Sequence, residues 1–447
     1  MSRKAKLLAC LGVALAPWLF SANASADEQF AVAKIINIPA NTLNPAGGIN
    51  SFDIGFVDAN IQTYVLADRT NFSVDVINTN TNTYVRQLTG CGGNVQFPGC
   101  TVFVGVQPGT NTSGPNGAII VDQREIWAPD GVSAASPTSK VHVIDLATNS
   151  LIKTIDVGGT RRADELCEAV KREVVLVAND DAADNFLTFI SSESYSVLQQ
   201  IKLDGNDPNG AITLTPPPAA GSKVAADGIE QCKFDPRTEA FYLAVPATKI
   251  TSASGSTAGP GVVLKISKHA PFHVEETFTI ATSTGCTGPQ GLAIGPQHQI
   301  ILGCGTGSTA SLIIDDRDGS VIHQLNGLGG ADEAWYNPGD NQYFIAASNN
   351  AVPQLGVVDP NGSQDPLVKT AAGSHSVSAD MINNQVYVPG NRGATALCGG
   401  TNGCIAVFTA PDDDQCLAQG MPVLDHDDGD DPVFMRTRCH RDDDDGR

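Results

Sequence analysis

Six polar residues occupy one position of a pattern that repeats along this 447-residue chain, and their side chains are typical cation ligands. Carboxylates brought together repel one another, so either some are protonated or a cation neutralises them. Oxygen ligands with one amide favour Ca²⁺ over softer metals, and an imidazole would also admit a transition metal. The six predicted ligands of a Ca²⁺ ion, or of another divalent cation, are Asp53, Glu165, Glu230, Gln290, Asp332 and His375.

A channel lined by solvated polar groups is the other interpretation of these residues, and the sequence leaves both open. The second repeat contributes Pro115 or Asn116 at the same position, and the alignment of the repeats does not decide between them.

The repeat that positions these residues is clearest at residues 226–246. Ile229, Cys232 and Phe234 form a short alternating run, Asp235-Pro236 makes a polar turn, and a second apolar run follows. Asp-Pro favours turns, and aromatic and β-branched residues suit strands, so the stretch predicts two antiparallel strands.

Seven such repeats, with periods near 45 residues and four short strands each, predict an all-β fold, a seven-bladed β-propeller. The seventh repeat lacks a fourth strand, and the strand-like run 31–39 has no partner nearby. We therefore expect this N-terminal strand to close the ring, which removes the open sheet edges. A two-domain β-sandwich is the structural alternative.

Two segments carry a family resemblance. The hairpin sequence from Val143 to Ser150 and the strand start from Gly288 to Ile294 resemble the YVTN and NHL-type propellers. The second also resembles the lactonase, SMP-30 and gluconolactonase group. The resemblance covers roughly residues 30–410 and implies a propeller; for the lactonase group it also implies metal-dependent hydrolysis.

Whether the chain is an enzyme stays open at this stage, and its catalytic residues are unknown. A lactonase-type mechanism needs a metal that polarises a carbonyl and a general base, for which His375 and Glu230 are the first candidates. The other common enzyme motifs, among them Gly-x-Ser-x-Gly, the P-loop and His-Glu-x-x-His, are absent.

The alternative to an enzyme is a binding or scaffold protein for a protein or small-molecule ligand. Loops on a rigid scaffold often carry recognition, and the chain has long Gly/Ser/Thr/Pro-rich insertions. They lie at 107–117, 129–139, 205–222 and 250–261.

Residues 1–26 have the pattern of a secretory signal peptide: three basic residues, an apolar run and Ala24-Ser25-Ala26 before Asp27. We expect an exported protein, periplasmic or secreted, with a propeller at 27–410. The formal net charge of −21 argues against nucleic acid and anionic membrane partners, and no later stretch is apolar enough for membrane insertion. The acidic, low-complexity segment 411–447 is predicted to be a disordered tail.

Removal of the signal peptide takes Cys10 with it and leaves an even number of cysteines, which favours disulfides in an oxidising compartment. The predicted pairs are Cys91–Cys100, Cys167–Cys232, Cys286–Cys304, Cys398–Cys404 and Cys416–Cys439. The histidines outside the ring are expected at the surface, on hairpins or turns: His142, His269, His273, His298 and His323.

Overall fold

The computed structural model describes residues 30–93, 99–181 and 185–410. The predicted signal peptide, the acidic tail and the Cys416–Cys439 pair lie outside the described residues.

The described chain consists almost entirely of short β-strands. The N-terminal strand and the strands of blades 1 to 3 are β1 (Ala31–Ile36); β2 (Gly55–Asp58), β3 (Thr63–Asp68), β4 (Ser73–Asn78), β5 (Thr83–Leu88); β6 (Ile119–Val121), β7 (Glu125–Asp130), β8 (Lys140–Asp145), β9 (Leu151–Asp156); and β10 (Arg162–Ala169), β11 (Val174–Asp180), β12 (Phe186–Ser191), β13 (Val197–Lys202).

Blade 4 contains an inserted sheet, and blade 7 contains the shortest first strand. The remaining strands are β14 (Lys223–Ala226), β15 (Cys232–Asp235), β16 (Ala240–Val245), β17 (Thr248–Ser252), β18 (Gly255–Gly259), β19 (Val262–Ile266), β20 (Val274–Thr279); β21 (Pro289–Ile294), β22 (Gln299–Cys304), β23 (Ala310–Asp315), β24 (Val321–Asn326); β25 (Ala334–Asn337), β26 (Gln342–Ala347), β27 (Gln354–Val358), β28 (Val368–Lys369); and β29 (Ser378–Ala379), β30 (Val386–Gly390), β31 (Cys404–Thr409).

Helical structure among the described residues is limited to single turns. The 3₁₀ turns are Ala59–Ile61, Thr110–Thr112, Val170–Arg172, Pro208–Gly210 and Thr282–Thr284, and the one α-helical turn is α1 (Thr395–Cys398).

Seven four-stranded antiparallel sheets form the blades of a propeller, which confirms the predicted fold. The first strands contact one another in a closed ring, in the order β2, β6, β10, β15, β21, β25, β29 and back to β2. The chain therefore forms one closed ring of blades instead of two sandwiches.

The N-terminal strand closes the ring as predicted. Strand β1 pairs with β31 from Ala31 opposite Thr409 to Ile36 opposite Ile405, and so becomes the outer strand of blade 7. It ends before Pro39, which has no N–H to continue the ladder.

The apolar core lies between neighbouring blades. Large side chains on the second strands fill these interfaces, and Tyr64 of blade 1 stacks on Tyr387 of blade 7 with ring centroids 5.0 Å apart. Burial of such aromatic groups removes a large apolar area from water and holds adjacent sheets together. The fully buried aromatic residues of the second strands include Tyr64, Trp127, Tyr242, Tyr343 and Tyr387.

Because the strands within each blade are antiparallel, every long insertion lies on one face of the ring. The loops that join second to third strands, and those that join one blade to the next, all end where the first strands begin; we call this the mouth face. The turns between first and second strands and between third and fourth strands lie on the opposite side, the turn face. Segment 250–261 is partly strand, because β17 and β18 form a small separate sheet with β14, which begins directly after segment 205–222.

Four disulfides are present in the described residues, with the predicted pairing: Cys91–Cys100, Cys167–Cys232, Cys286–Cys304 and Cys398–Cys404. Cys167 and Cys232 lie in the first strands of blades 3 and 4, and their Cα atoms are 5.8 Å apart, within the range that a disulfide spans.

The prediction that His142 is a surface residue was wrong. His142 is buried, its Nε2 atom lies 3.4 Å from Oδ2 of the buried Asp130, and its Nδ1 atom lies 3.1 Å from Oγ1 of Thr154. The outer hairpin of blade 2 is covered by Phe103, whose ring meets the imidazole edge-on. An alternating strand pattern cannot show such a cover.

Candidate functional site

The six predicted ligands lie at the mouth of the central channel. Asp53, Glu230, Asp332 and His375 come two or three residues before their first strands, and Glu165 and Gln290 lie within theirs. Since each first strand begins at the mouth face, the shared position in the repeat places these side chains around one opening.

Blade 2 contributes Asn116, which decides the ambiguity left by the sequence. Its Oδ1 atom accepts hydrogen bonds from Arg69 at 3.0 and 2.8 Å, and its Nδ2 atom donates to the carbonyl oxygen of Ala163 at 2.7 Å. Asn116 therefore links blade 1 to blade 3 across the start of blade 2.

One side of the mouth has carboxylates paired with cationic groups; we call it the paired half. Its members are Asp53, Arg69, Asn116, Arg162, Asp164, Asp180 and His375. Arg69 forms an ion pair with Asp53, and Arg162 lies 2.7 Å from Asp164, 3.5 Å from Asp180 and 3.7 Å from Asp53.

His375 completes the paired half. Its Nε2 atom lies 3.3 Å from Oδ1 of Asp53, its Nδ1 atom lies 2.9 Å from the carbonyl oxygen of Gly373, and its ring stacks on Phe52 at 4.7 Å. Burial lowers the pKa of His375, but the hydrogen bond to Asp53 and the charge of Asp332 outweigh it and raise the pKa above its usual value.

Cationic neighbours keep Asp53 ionised. Burial raises its pKa, yet Arg69, the hydrogen bond to His375 and Arg162 together lower the pKa below the ordinary aspartate value. Asp164 differs, because burial raises its pKa well above that value although Arg162 opposes the shift.

The other side of the mouth, the acidic half, consists of Glu165, Glu230, Gln290 and Asp332. The Gln290 Nε2 atom donates to Oδ1 of Asp332 at 3.0 Å and to Oε1 of Glu230 at 3.4 Å. Within the described part of the chain, no ion pair is formed by Glu165, Glu230 or Asp332. One neutral amide thus lies between two carboxylates.

The unpaired carboxyl groups favour their protonated forms. Burial and the charge of Asp332 raise the pKa of Glu230 well above its usual value. Burial and the charges of Asp164, Glu333, Glu230 and Asp332 do the same for Glu165, which is itself buried. Glu230 and Asp332 are half-buried, so solvent reaches both.

A second polar layer lies below the mouth. The Oε1 atom of Gln231 accepts the backbone N–H groups of Leu292 at 2.6 Å and Ala334 at 3.2 Å, and Oε2 of Glu333 accepts the N–H of Val377 at 2.8 Å. These bonds join the first strands of blades 4 to 7. Burial raises the pKa of Glu333 to about 8 against the opposing charge of Lys233.

A small cavity lies at this layer. A cavity of about 10 Å³, on the order of the space for one water molecule, is bordered by Glu165, Gln231 and Lys233. The ammonium group of Lys233 lies 4.8 Å from the ring centroid of Trp335, and Trp335 meets Phe56 edge-on.

As they stand, no three His, Cys, Asp or Glu side chains in the described ranges are arranged to hold a metal ion. The hydrogen bond of His375 goes to Asp53, and that of Glu230 goes to Gln290. The two candidates for a general base thus belong to different halves of the mouth.

Sequence reasoning missed Arg69, Arg162, Asp164 and Asp180. Arg69 and Asp180 lie at the ends of second strands, which return to the same face as the first-strand starts. A register shift between Ala163 and Leu166, a β-bulge, accompanies the placing of both Asp164 and Glu165 at the mouth. The run Arg161-Arg162 beside Asp164-Glu165 was the available signal.

Comparison with solved structures supports the fold. The chain is similar to the Pan2 WD40 domain of Neurospora crassa, with TM-score 0.55, 10% identity, and coverage of 86% of this chain and 96% of that one. It is also similar to a chain of a mitotic checkpoint complex, with TM-score 0.51, 9% identity, and coverage of 91% and 98%. At these identities the likeness shows the β-propeller fold alone.

No protein-family model matches the chain, and no curated protein matches it. The resemblance to YVTN, NHL or lactonase-type propellers therefore stays a prediction. In the described residues, no helix has both the length and the apolar character needed to cross a membrane.

Proposed function

We propose that this protein is an exported binding scaffold that holds one divalent cation, Ca²⁺ first, in the acidic half of its channel mouth. The observation that carries the proposal is the contrast in pairing: carboxylates on one side face Arg69 and Arg162, while Glu165, Glu230 and Asp332 face one another.

The residues present fit a hard cation. Carboxylate and amide oxygens are the ligands that Ca²⁺ takes, and the Gln290 amide already contacts both Glu230 and Asp332. In the structure, the Gln290 amide presents its nitrogen to both carboxylates. Rotation of the amide would present Oε1 instead, and the oxygen and nitrogen of an amide have nearly the same size.

Gly305 provides the space for the Gln290 amide. A Cβ atom at position 305 would overlap Oε1 of Gln290, so the bare glycine backbone lets the amide lie against it. Glu165 would complete the oxygen set from the next blade, and His375 would remain in the paired half with Asp53.

Binding of a ligand other than the ion would use the loops of the mouth face. The long insertions, the polar ring and three of the disulfides, Cys91–Cys100, Cys286–Cys304 and Cys398–Cys404, all lie on that side. One solved relative is a component of a mitotic checkpoint complex, which supports protein binding as a use of this architecture. We propose a protein or small-molecule partner at this face.

Export is supported by the disulfides, because structural disulfides persist in oxidising compartments. Fractionation of cells expressing the full chain, with mass determination of the mature protein, tests this part. A protein that starts at Asp27 outside the cytoplasm is expected, and an uncleaved cytoplasmic protein would contradict the proposal.

The cation is tested by thermal melting of the purified full chain with EDTA and with added Ca²⁺. A ligand that binds only the folded state stabilises it by roughly 2.7 kcal/mol at a hundredfold excess over its Kd. Glu230→Gln and Asp332→Asn should remove most of the Ca²⁺ response, and Asp318→Asn on the turn face should keep it. All variants retain the acidic tail. Equal changes of melting temperature with Ca²⁺ in all of them would therefore assign Ca²⁺ binding to the tail.

A lactonase-type hydrolase is the second candidate. Its metal site would be the same acidic half, but the raised pKa of His375 favours the protonated imidazole, which cannot act as a base. Assays with a panel of lactones and esters in the presence of Ca²⁺, Zn²⁺ and Mn²⁺ distinguish the two functions. Turnover that Glu230→Gln abolishes would replace the scaffold proposal.

A further inference from the structure

The segment 37–50 joins the ring-closing strand β1 to blade 1 and is tied down by amide side chains. Nδ2 of Asn41 donates to Oε1 of Gln87 at 2.7 Å and to Oδ1 of Asn71 at 3.2 Å. Nδ2 of Asn44 donates to the same Oδ1 of Asn71 at 3.0 Å, and the amide of Asn71 donates to the carbonyl oxygen of Gly48 at 3.0 Å. The segment therefore rests on a buried polar network.

Two carboxyl groups, those of Asp68 and Asp75, lie beneath this network, and both residues are completely buried. The backbone N–H of Asn71 donates to Oδ1 of Asp68 at 3.0 Å, and its side-chain amide donates to Oδ2. Asp68 lies opposite Ser73 in the β3–β4 pair, and Asp75 follows on the same face two residues later, so the two carboxyl groups are diagonal neighbours. Oδ2 of Asp75 and Nε2 of Gln87 have no hydrogen-bond partner in the described structure.

Among the residues that the structure describes, the groups around the pair supply no positive charge. Tyr84 on β5 and Tyr64 on β3 are the titratable groups that interact with Asp75, and segment 37–50 contains no ionisable side chain. Arg69 is directed to Asp53 and Asn116 instead, and Arg392 contacts Asn44 and Gly47 at 3.0 Å from the blade 7 side. Two carboxyl groups buried side by side without a cation repel each other when both are ionised, so the pair retains one proton.

We propose that Asp68 and Asp75 form a proton-operated latch that holds segment 37–50, and with it the closing strand, against blade 1. With one shared proton, the pair carries one negative charge and the amide network stays closed. When that proton leaves, a second negative charge appears in an enclosed site without a cation. Opening of the segment then admits water to both carboxylates.

The direction of the pH effect follows from the same environment. Burial raises the pKa of Asp68 to about 6 and, with the charge of Asp68, raises the pKa of Asp75 well above the ordinary value. A group whose pKa is raised by folding stabilises the closed state at low pH and loses that effect as the pH rises through the folded-state pKa. The latch is therefore closed in mildly acidic solution and loosens as the pH rises through the raised pKa of Asp75, whose ionisation adds the second charge.

The experiment is hydrogen exchange of the full chain between pH 5 and pH 9, with protection factors corrected for the intrinsic pH dependence of exchange. For one proton released on opening, the protection of residues 37–50 should fall up to about tenfold per pH unit in the affected range. Asp75→Asn keeps the shape and removes the second charge, so protection of the segment should become independent of pH. Asp68→Asn should act in the same way and serves if Asp75→Asn does not fold.

Asp58→Asn is the matched control, because Asp58 ends the first strand of the same blade on the turn face, is half-buried and has a pKa that burial raises. It should retain the pH-dependent protection of segment 37–50. Wild-type protection that does not change with pH would overturn the proposal. So would a pH dependence of protection in both latch variants equal to that of the wild-type chain. Exchange is read at the segment itself, so titration of the channel mouth does not enter the comparison.

Discussion

Both halves of the channel mouth contain carboxyl groups, but they differ in whether those groups form ion pairs with cationic side chains. In the paired half, Arg69, Arg162 and His375 lie beside Asp53, Asp164 and Asp180. In the acidic half, Gln290 lies between Glu230 and Asp332, and within the described residues neither these two nor Glu165 forms an ion pair. In the first arrangement each carboxyl group lies beside a cationic group, whereas the second leaves charge for protons or a cation to neutralise.

The difference in charge pairing between the halves reduces the set of cation ligands that the repeats predict. The six residues form one ring by position, but His375 and Asp53 are already engaged with each other and with Arg69. A cation bound beside Arg69 or Arg162 would meet like charge, so the acidic half is the favourable place. The residues that remain for the proposed cation are Glu165, Glu230, Gln290 and Asp332.

Removal of Arg162 should have the largest effect, because it breaks the paired half. Arg162→Gln would leave Asp53, Asp164 and Asp180 with one fewer cation, and uncompensated buried charge costs about 3 to 5 kcal/mol. Chemical denaturation at pH 7 measures the loss. Arg317→Gln is the control, since Arg317 pairs with Asp315 on the exposed turn face, where such pairs contribute about 1 kcal/mol or less. Equal losses of stability in the two variants would show that the ion pairs of the mouth contribute no more than an exposed ion pair.

Neutral replacements in the two halves should change stability in opposite directions. Asp53→Asn removes the partner of Arg69 and should lower the free energy of unfolding by about 2 kcal/mol. Glu230→Gln removes repulsion with Asp332 and should raise it by about 1 kcal/mol without added Ca²⁺. Unfolding in EDTA at pH 8 tests both variants, and a destabilised Glu230→Gln protein would contradict the account.

The pH dependence should separate the halves further. The pKa values of Glu165 and Glu230 are raised by folding, so their contribution is present below their unfolded values and is lost as the pH rises through the folded ones. His375, whose pKa is also raised, stabilises below about pH 6.5 and loses that effect above its folded pKa. Stability in EDTA should therefore fall from pH 5 to pH 8, by up to about 1.4 kcal/mol per pH unit for each proton lost.

Two variants distinguish the contributions to this slope. Glu230→Gln should reduce the decrease of stability over one part of the pH range, and His375→Gln should reduce it over a different part near neutral pH. Added Ca²⁺ should also flatten the slope in the wild-type chain, since the ion replaces the protons. A slope that neither the variants nor Ca²⁺ alters would assign the pH dependence to other groups.

The smallest expected effect is that of Gly305→Ala. The added Cβ would displace the Gln290 amide from between Glu230 and Asp332, which should cost about 1 kcal/mol of stability for the disturbed hydrogen bonds. It should also weaken the Ca²⁺ response, which melting curves with and without Ca²⁺ would show. Gly399→Ala is the control for a substitution of a loop glycine with open space around it, although its positive φ adds some strain. An unchanged Ca²⁺ response would remove Gln290 from the proposed ligands.

Much of the architecture was predictable because each blade is coded locally. Alternating strands, Asp-Pro and Asn-rich turns and a regular period are properties of short stretches, and the missing strand of the seventh repeat matched the N-terminal run that pairs with it. Their shared position in the repeat placed Asp53, Glu230 and Asp332 just before three first strands. The disulfide between Cys167 and Cys232 followed from equal positions in adjacent blades.

The sequence by itself determined that the chain is a ring of β-sheets with polar groups around one opening, since both follow from a repeat that local patterns specify. Only the tertiary structure decided which of those groups have partners. Arg69 and Asp180 arrive from second strands, and a bulge accompanies the placing of Asp164 beside Glu165. The cover over His142 also comes from a segment distant in the chain. Charge pairing depends on distances of a few ångströms across blades, and periodicity within one blade carries no information about them.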